Sequence, residues 1–202
     1  MGTVLIILIT AVVSVYCFSK PEKLDALKFN APMVIERKQW YRMFSYGLVH
    51  GGWAHLIFNM LTLFFFGMVV ERYFSDVWAD GGAFIYLLFY ISALGVSTAG
   101  DLILHKADYG FSAVGASGAV SAVLFASILF EPKMGIYIFM IPIPVPGYIF
   151  APLYLLYCWW MAKRKVDNIG HTAHFIGAVY GILFPLLLKP SLLMHFLSQL
   201  GI

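Results

Sequence analysis

GASGAVSA, residues 115–122, is the stretch of sequence that decides how the chain is interpreted. It lies in a run of residues apolar enough to cross a membrane, yet Ser117 stands in it between Ala116 and Gly118. Small residues at such spacing commonly form a seam where two helices pack closely, and for this segment alone that is the more common reason for them. The alternative is that Ser117 is a nucleophile.

The composition around this segment is that of a membrane protein. Of the 202 residues, 61% are hydrophobic and 11% are charged, far from the average of soluble domains. The chain is therefore expected to be a polytopic membrane protein with a single domain, 1–202. Its net charge of +3 is small and its basic residues are scattered through connecting loops, which argues against nucleic-acid binding. Cys17 and Cys158 form no metal-binding spacing and are expected to be free, buried and inert.

The apolar runs predict an all-α bundle of six transmembrane helices, given that about 20 residues cross the hydrocarbon. They cover 3–18, 53–70, 82–103, 112–130, 147–162 and 171–188. The first run lacks the basic flank and cleavage pattern of a signal peptide, so we expect it to be retained. The longest connection, 19–52, is expected to lie at the membrane interface. Before the fifth run, the prolines of IPIPVPG (141–147) predict a loop or a kinked start.

Four polar side chains within these runs need a physical reason to be there, because polar groups are costly in lipid. His55 and Asn59 share one face near the start of the second run. Ser117 is expected about five residues into the fourth run, roughly 7 to 9 Å along its axis, and His174 about one turn into the sixth. Since the second, fourth and sixth runs cross in the same direction, all four side chains are predicted to lie at one side and to share a site.

This arrangement is typical of nucleophilic catalysis. A serine hydroxyl needs a base within hydrogen-bonding reach, and histidine suits that task near neutral pH. Ser117 and His174 are the predicted pair, and Gly177 and Gly181 would allow their helices to approach closely. His55 and Asn59 are candidate donors to the oxyanion, beside the Ser117 N–H.

The same residues also allow two roles that involve no nucleophile. Each polar residue alone could simply be a hydrogen-bonding contact between helices. A metal-dependent membrane enzyme or transporter could use the histidines at positions 50, 55, 171 and 174, since zinc readily accepts imidazole ligands. No acidic or cysteine ligand completes such a shell within a run in the sequence.

Three motifs in order resemble the rhomboid family of intramembrane serine proteases, in its six-helix bacterial type. WYRMFSYGLVHGGWAHLIFNM (40–60) is similar to the family's region from the first loop to the second helix, with its H-x-x-x-x-H-x-x-x-N pattern. GASG (115–118) is similar to G-x-S-G, and AHFIGAVYG (173–181) to A-H-x-x-G-x-x-x-G. The resemblance extends over most of the chain.

The resemblance implies a role for each matching residue. Ser117 would be the nucleophile and His174 the base, in a dyad without a carboxylate, while His55 and Asn59 would assist the oxyanion. His50, Trp40 and Arg42 would have structural roles. The implied partners are transmembrane protein substrates in a lipid bilayer, with no cofactor and no metal. A further alternative is an inactive relative that binds transmembrane helices without cutting them. The oligomeric state, the cleavage motif and the physiological substrate do not follow from the sequence.

The sequence departs from the family at one position and raises a question of orientation. Several family members have an aromatic residue one turn after the serine, where this chain has Ser121. Ten of the thirteen Lys and Arg residues lie in or next to the loops that precede the second, fourth and sixth runs, which by the positive-inside rule would put the site in the cytoplasm. The family resemblance instead implies a bacterial inner-membrane protein whose site opens to the extracytoplasmic side, and we adopt that expectation. The segment 163–170 and the fifth run are expected to form a mobile cover over the site.

Overall fold

A computed structural model describes residues 1–138, 143–164, 167 and 169–202. The described chain is mostly helical. Its long helices are α1 (Gly2–Phe18), α5 (Trp53–Trp78), α6 (Gly82–Ser97), α8 (Ser117–Phe130), α9 (Gly147–Arg164) and α10 (His171–Leu188). Shorter helices are α2 (Pro21–Leu27), α3 (Ala31–Ile35), α4 (Arg42–Ser45), α7 (Ala99–Leu104) and α11 (Leu192–Leu200). The strands β1 (Gly135–Ile136) and β2 (Val145–Pro146) pair antiparallel.

Two stretches of the described chain are long and apolar enough to cross a membrane, namely 53–104 and 171–188. The first contains α5, α6 and α7 and turns between α5 and α6 at Ala79, which has a φ of 47°. At this turn a side chain on Gly82 would meet the Phe74 carbonyl oxygen at 2.4 Å, so α6 starts directly against α5. α1 and α8 are apolar but shorter. The helical fold of the prediction is therefore confirmed, whereas the number of spans stays a prediction.

The fourth helix begins later than the sequence predicts. Residues 112–116 lie outside α8, because Ala113 pairs with Phe29 of the long connection through two backbone hydrogen bonds of 2.9 and 3.1 Å. Gly115 then adopts a φ of 101°, a left-handed conformation that favours glycine. Ser117 is consequently the first residue of α8, and the prediction that it lies five residues inside a helix is wrong.

α8 is the central helix of the fold, since every residue from Gly118 to Phe130 is buried. It packs against α5, α6 and α10. On α10, a Cβ at Gly177 would lie 2.0 Å from the Gly118 carbonyl oxygen, and one at Gly181 would lie 2.1 Å from that of Ala122. The two backbones are therefore in contact, as the G-x-x-x-G spacing predicts, and the matched order of the two contacts means that the helices run parallel.

The connection 19–52 is folded. The Arg42 guanidinium is buried and donates to the carbonyl oxygens of Asp25 and Lys28 at 2.8 and 2.7 Å, and the Asn30 side chain caps α3 by accepting from the Met33 N–H. Arg42 therefore has the structural position that the resemblance implies.

The segment before α9 is only partly described. Of IPIPVPG, residues 141 and 142 lie outside the described residues, 143–144 are not helical, and 145–146 form β2. α9 begins at Gly147, as predicted. In the predicted cover 163–170, residues 165, 166 and 168 lie outside the described residues. α11 was not predicted from the sequence.

Candidate active site

Ser117 and His174 are in hydrogen-bonding contact. The distance between His174 Nε2 and Ser117 Oγ is 2.6 Å. Ser117 starts α8, and His174 lies in the first turn of α10, where its N–H donates to the Gly170 carbonyl oxygen. The parallel packing of α8 and α10 brings these two amino-terminal ends together. A serine and a neutral imidazole in this contact can transfer a proton from oxygen to nitrogen.

The position of Ser117 at a helix start leaves its N–H free to donate to a negatively charged group. The first N–H groups of an α-helix have no carbonyl partner within the helix and lie at the positive end of its dipole. The turn at Gly115 leads directly into this helix start. A negatively charged oxygen beside Ser117 would therefore meet backbone donors that are already oriented.

His55 lies against the same turn. A Cβ on Gly115 would be 2.6 Å from His55 Nε2 and 2.5 Å from His55 Cε1, so the imidazole packs on the Gly115 backbone. Because His55 is in the first turn of α5, the starts of α5, α8 and α10 meet at one end of the bundle. This agrees with the predicted parity of the second, fourth and sixth runs.

Asn59 lies one turn further along α5 and is buried. Its Nδ2 donates to the His55 carbonyl oxygen at 3.1 Å. Among the described residues the structure gives this side chain no hydrogen bond to Ser117 or His174. The predicted set is therefore brought together as Ser117, His174 and His55, with Asn59 behind His55 on the same helix.

His50 has a structural setting. Its ring is fully buried, and its Nδ1 lies 2.9 Å from Ser14 Oγ, which itself donates to the Leu48 carbonyl oxygen at 2.8 Å. Ser14 thus accepts from the Nδ1–H, which links α1 to the connection before α5. Burial, with a smaller contribution from His55, lowers the pKa of His50 to about 3. The ring is therefore neutral at ordinary pH.

Asp167 engages a different histidine from the one in the pair. Both of its carboxylate oxygens lie close to His171 Nε2, at 3.1 and 3.2 Å, and this hydrogen bond lowers the pKa of the Asp167 carboxyl. Among the described residues no carboxylate is hydrogen-bonded to His174. The pair of Asp167 and His171 was not predicted from the sequence, and helical spacing gave no signal for it, because Asp167 lies before the start of α10.

The surroundings of Ser121 and His174 show what takes the place of the aromatic residue of the family pattern. Ser121 Oγ is hydrogen-bonded to the Tyr154 hydroxyl of α9 at 2.9 Å. The ring in contact with His174 is His171, at 6.1 Å between centroids and with an interplanar angle of 77°. His174 is therefore oriented by Ser117 at its Nε2 and by the edge-to-face contact with His171.

A potential metal-binding group lies beside the pair. One ligand atom from each of Cys158, His171 and His174 falls within 4.8 Å of the others. Within the described residues His50 and His55 do not belong to this group, so the four histidines considered from the sequence do not form one metal site. Cys158 was not predicted as a neighbour, because only the packing of α9 on α10 brings it there. It is free and buried, as predicted, and so is Cys17.

Comparison with known proteins decides the family. The model of the Rhomboid domain matches residues 37–191, which include the turn at Gly115 and the starts of α5, α8 and α10. The chain belongs to the rhomboid family. Rhomboid proteins are integral membrane proteins, in agreement with the composition.

Relatives come from several kinds of organism. The chain is 38% identical to "RHOMBOID-like protein 4" of Arabidopsis thaliana over 45% of its length and 21% of the relative's. It is 30% identical to "RHOMBOID-like protein 12, mitochondrial" of the same plant over 62% of its length and 39% of the relative's. With "Rhomboid protease GluP" of Bacillus subtilis it shares 27% identity over 79% of its length and 29% of the relative's. The matches thus span well under half the length of these curated relatives.

Proposed function

We propose that this rhomboid protein is an intramembrane serine endopeptidase that cleaves membrane-anchored substrates in or near their transmembrane segment. The observation that carries the proposal is the hydrogen bond between Ser117 Oγ and His174 Nε2, 2.6 Å long, at the start of two helices in backbone contact. One of the relatives reported above, from Bacillus subtilis, is named as a rhomboid protease. The proposal extends that activity to this chain.

The proposed reaction follows from the positions of these groups. His174 Nε2 accepts the Ser117 proton while Oγ attacks the carbonyl carbon of the scissile peptide bond. The resulting oxyanion is stabilised by the Ser117 N–H and by His55, and Asn59 joins them if its amide turns from the His55 carbonyl. His174 then gives the proton to the leaving amine, and water releases the acyl group by the same steps.

The remaining parts of the proposal concern the membrane. Six spans, formed by α1, α5, α6 with α7, α8, α9 and α10, are the proposed arrangement. The starts of α5, α8 and α10 then form one face, which we place on the extracytoplasmic side of a bacterial inner membrane. No metal or cofactor takes part in the proposed reaction.

The test is cleavage of a model transmembrane substrate by purified protein in detergent. Ser117→Ala is expected to abolish cleavage, since loss of the nucleophile costs on the order of 10⁶ in turnover in a soluble serine protease. Ser127→Ala is a matched control, because Ser127 is also a buried serine of α8 but its hydroxyl donates within the helix to the Leu124 carbonyl oxygen. Equal cleavage by the two folded variants would refute the proposal.

A further inference from the structure

Beside the proposed pair lies a second arrangement that proteolysis does not require. His171 is 4% exposed, and its Nε2 is occupied by Asp167. Its Nδ1 is buried and has no hydrogen-bond partner among the described residues. A buried polar atom without a partner costs free energy, and a ligand bound to this nitrogen would remove that cost.

Ligand atoms of two other residues lie close to His171. Cys158 from α9 and His174 from α10 complete the group whose atoms lie within 4.8 Å of one another. Ligand atoms around a tetrahedral zinc ion are about 3.5 Å apart, so a modest contraction would complete three protein ligands. A thiolate and two imidazoles are a donor set that favours zinc and other soft divalent cations over magnesium or calcium.

Asp167 supports this interpretation. A metal-binding histidine usually donates its other ring N–H to a carboxylate, which fixes the tautomer and the orientation of the ring. Here His171 Nε2 faces Asp167, so Nδ1 is the nitrogen left free to bind a cation.

We propose that Cys158, His171 and His174 form an inhibitory binding site for a soft divalent cation such as Zn²⁺. This inference rests on the proposed function, because it assigns a regulation to the same His174. It differs from the metalloenzyme considered from the sequence, since the cation would stop the reaction.

The mechanism of inhibition is a change of tautomer. His174 Nε2 can accept the Ser117 proton only when the ring proton is on Nδ1. A cation bound at Nδ1 of His174, the nitrogen that is not in contact with Ser117, moves that proton to Nε2. His174 Nε2 then donates to Ser117 Oγ and can no longer act as a base. The Cys158 thiol loses its proton to solvent on binding, so the cation is held by one thiolate and two neutral imidazoles. The bound ion would also link α9 to α10.

The first experiment measures binding without any substrate. Wild type in detergent is titrated with Cd²⁺ while the ultraviolet absorption of the cadmium–thiolate bond is followed, and with Zn²⁺ in competition with a chromogenic chelator. Cys158→Ser should abolish the absorption band, and His171→Gln should weaken binding of both ions. Cys17→Ser is the matched control, because Cys17 is the other buried free cysteine and lies on α1; it should leave binding unchanged. In wild type, Zn²⁺ should protect Cys158 from an alkylating reagent, which gives the same information without a substitution.

The second experiment compares cleavage with Zn²⁺ and with EDTA for each variant, so that every protein is its own reference. Wild type should be inhibited by micromolar Zn²⁺ and restored by EDTA. Asp167→Asn should need about 10- to 100-fold more Zn²⁺, as expected for loss of a carboxylate behind a metal-binding histidine.

The outcomes separate the two proposals. Cleavage that is insensitive to Zn²⁺, or binding that is equal in Cys158→Ser and Cys17→Ser, would overturn the cation site and leave the protease proposal intact. Cation binding at Cys158 in a folded protein that cleaves nothing in EDTA would refute the protease proposal and the regulatory role with it.

Discussion

At the scale of single residues, no carboxylate in the described part of the chain is hydrogen-bonded to Ser117 or His174. The His174 ring is held by Ser117 Oγ and by the edge of His171. Asp167, the acid nearest to it in sequence, is bound to His171 instead. Among the described residues the geometry therefore fits the proposed dyad, with Asp167 bound to the neighbouring His171.

Asp167→Asn is accordingly expected to leave turnover in EDTA within a few-fold of wild type, because the substitution removes no group in contact with His174. His174→Ala serves as the reference for loss of the base. Turnover is measured on the same transmembrane substrate for both variants. A collapse of Asp167→Asn to the level of His174→Ala would mean that a triad operates.

The oxyanion donors should give a graded result. His55→Ala and Asn59→Ala are each expected to lose roughly 10² to 10³ in turnover, the usual cost of removing one donor among several, while still reacting with a fluorophosphonate. Asn59 must first leave the His55 carbonyl oxygen, so its loss is expected to be the smaller one. Thermal stability is measured beside turnover for the single variants and the double variant. A rate loss that merely follows stability, or an unchanged rate, would make these residues helix-packing contacts worth about 0.6 to 2 kcal/mol.

The meeting of Ser117, His174 and His55 could be predicted from sequence, because it depends on which side of the bundle each helix starts and on residue spacing. His55 and Asn59 are four apart, and the alternate runs of an antiparallel bundle start on the same side. The depth of Ser117 could not be predicted in this way, because hydropathy does not register that Ala113 pairs with Phe29 or that Gly115 turns the chain with a positive φ. The proximity of Cys158 to His174 could likewise not be predicted from sequence, since only the contact of α9 with α10 brings the two residues together.

At the scale of elements, the contact of α8 with α10 holds the pair together. The backbones touch at Gly177 and Gly181, where a Cβ would meet a carbonyl oxygen at 2.0 and 2.1 Å. Backbone oxygens cannot move away as the end of a side chain can. The two helices must therefore separate if either glycine gains a side chain.

Gly177→Ala and Gly181→Ala are thus expected to destabilise the protein by about 1 to 3 kcal/mol, the usual cost of overpacking, and to reduce cleavage by moving His174 away from Ser117. Gly81→Ala is the matched control, because a Cβ there would have its nearest neighbour, Ile85 Cδ1, at 3.9 Å. Thermal unfolding in detergent is the measurement. Equal midpoints for the three variants would contradict the close contact of α8 and α10.

At the scale of the whole molecule, the charge distribution and the family favour opposite orientations in the membrane. The basic residues in the loops before the second, fourth and sixth runs favour the cytoplasm for this end of the bundle by the positive-inside rule. The family resemblance instead favours the extracytoplasmic side for the same end of the bundle. The connection 19–52 removes one of these charges from the loop, because it buries the Arg42 guanidinium in hydrogen bonds to its own carbonyl oxygens.

Single cysteines introduced at 19–39, in a protein lacking Cys17 and Cys158, are therefore expected to react with an impermeant thiol reagent applied to intact cells. Cysteines at 131–135 should not react until the cells are opened. The reverse pattern would place the site in the cytoplasm, as the charge count predicts.

The central claim is that Ser117 is a nucleophile activated by His174, and its most direct test is labelling of the folded protein with a fluorophosphonate followed by peptide mapping. We expect one labelled residue, Ser117, with labelling lost in Ser117→Ala, strongly reduced in His174→Ala and retained in Ser127→Ala. Label on another serine, or full labelling of folded His174→Ala, would contradict the claim.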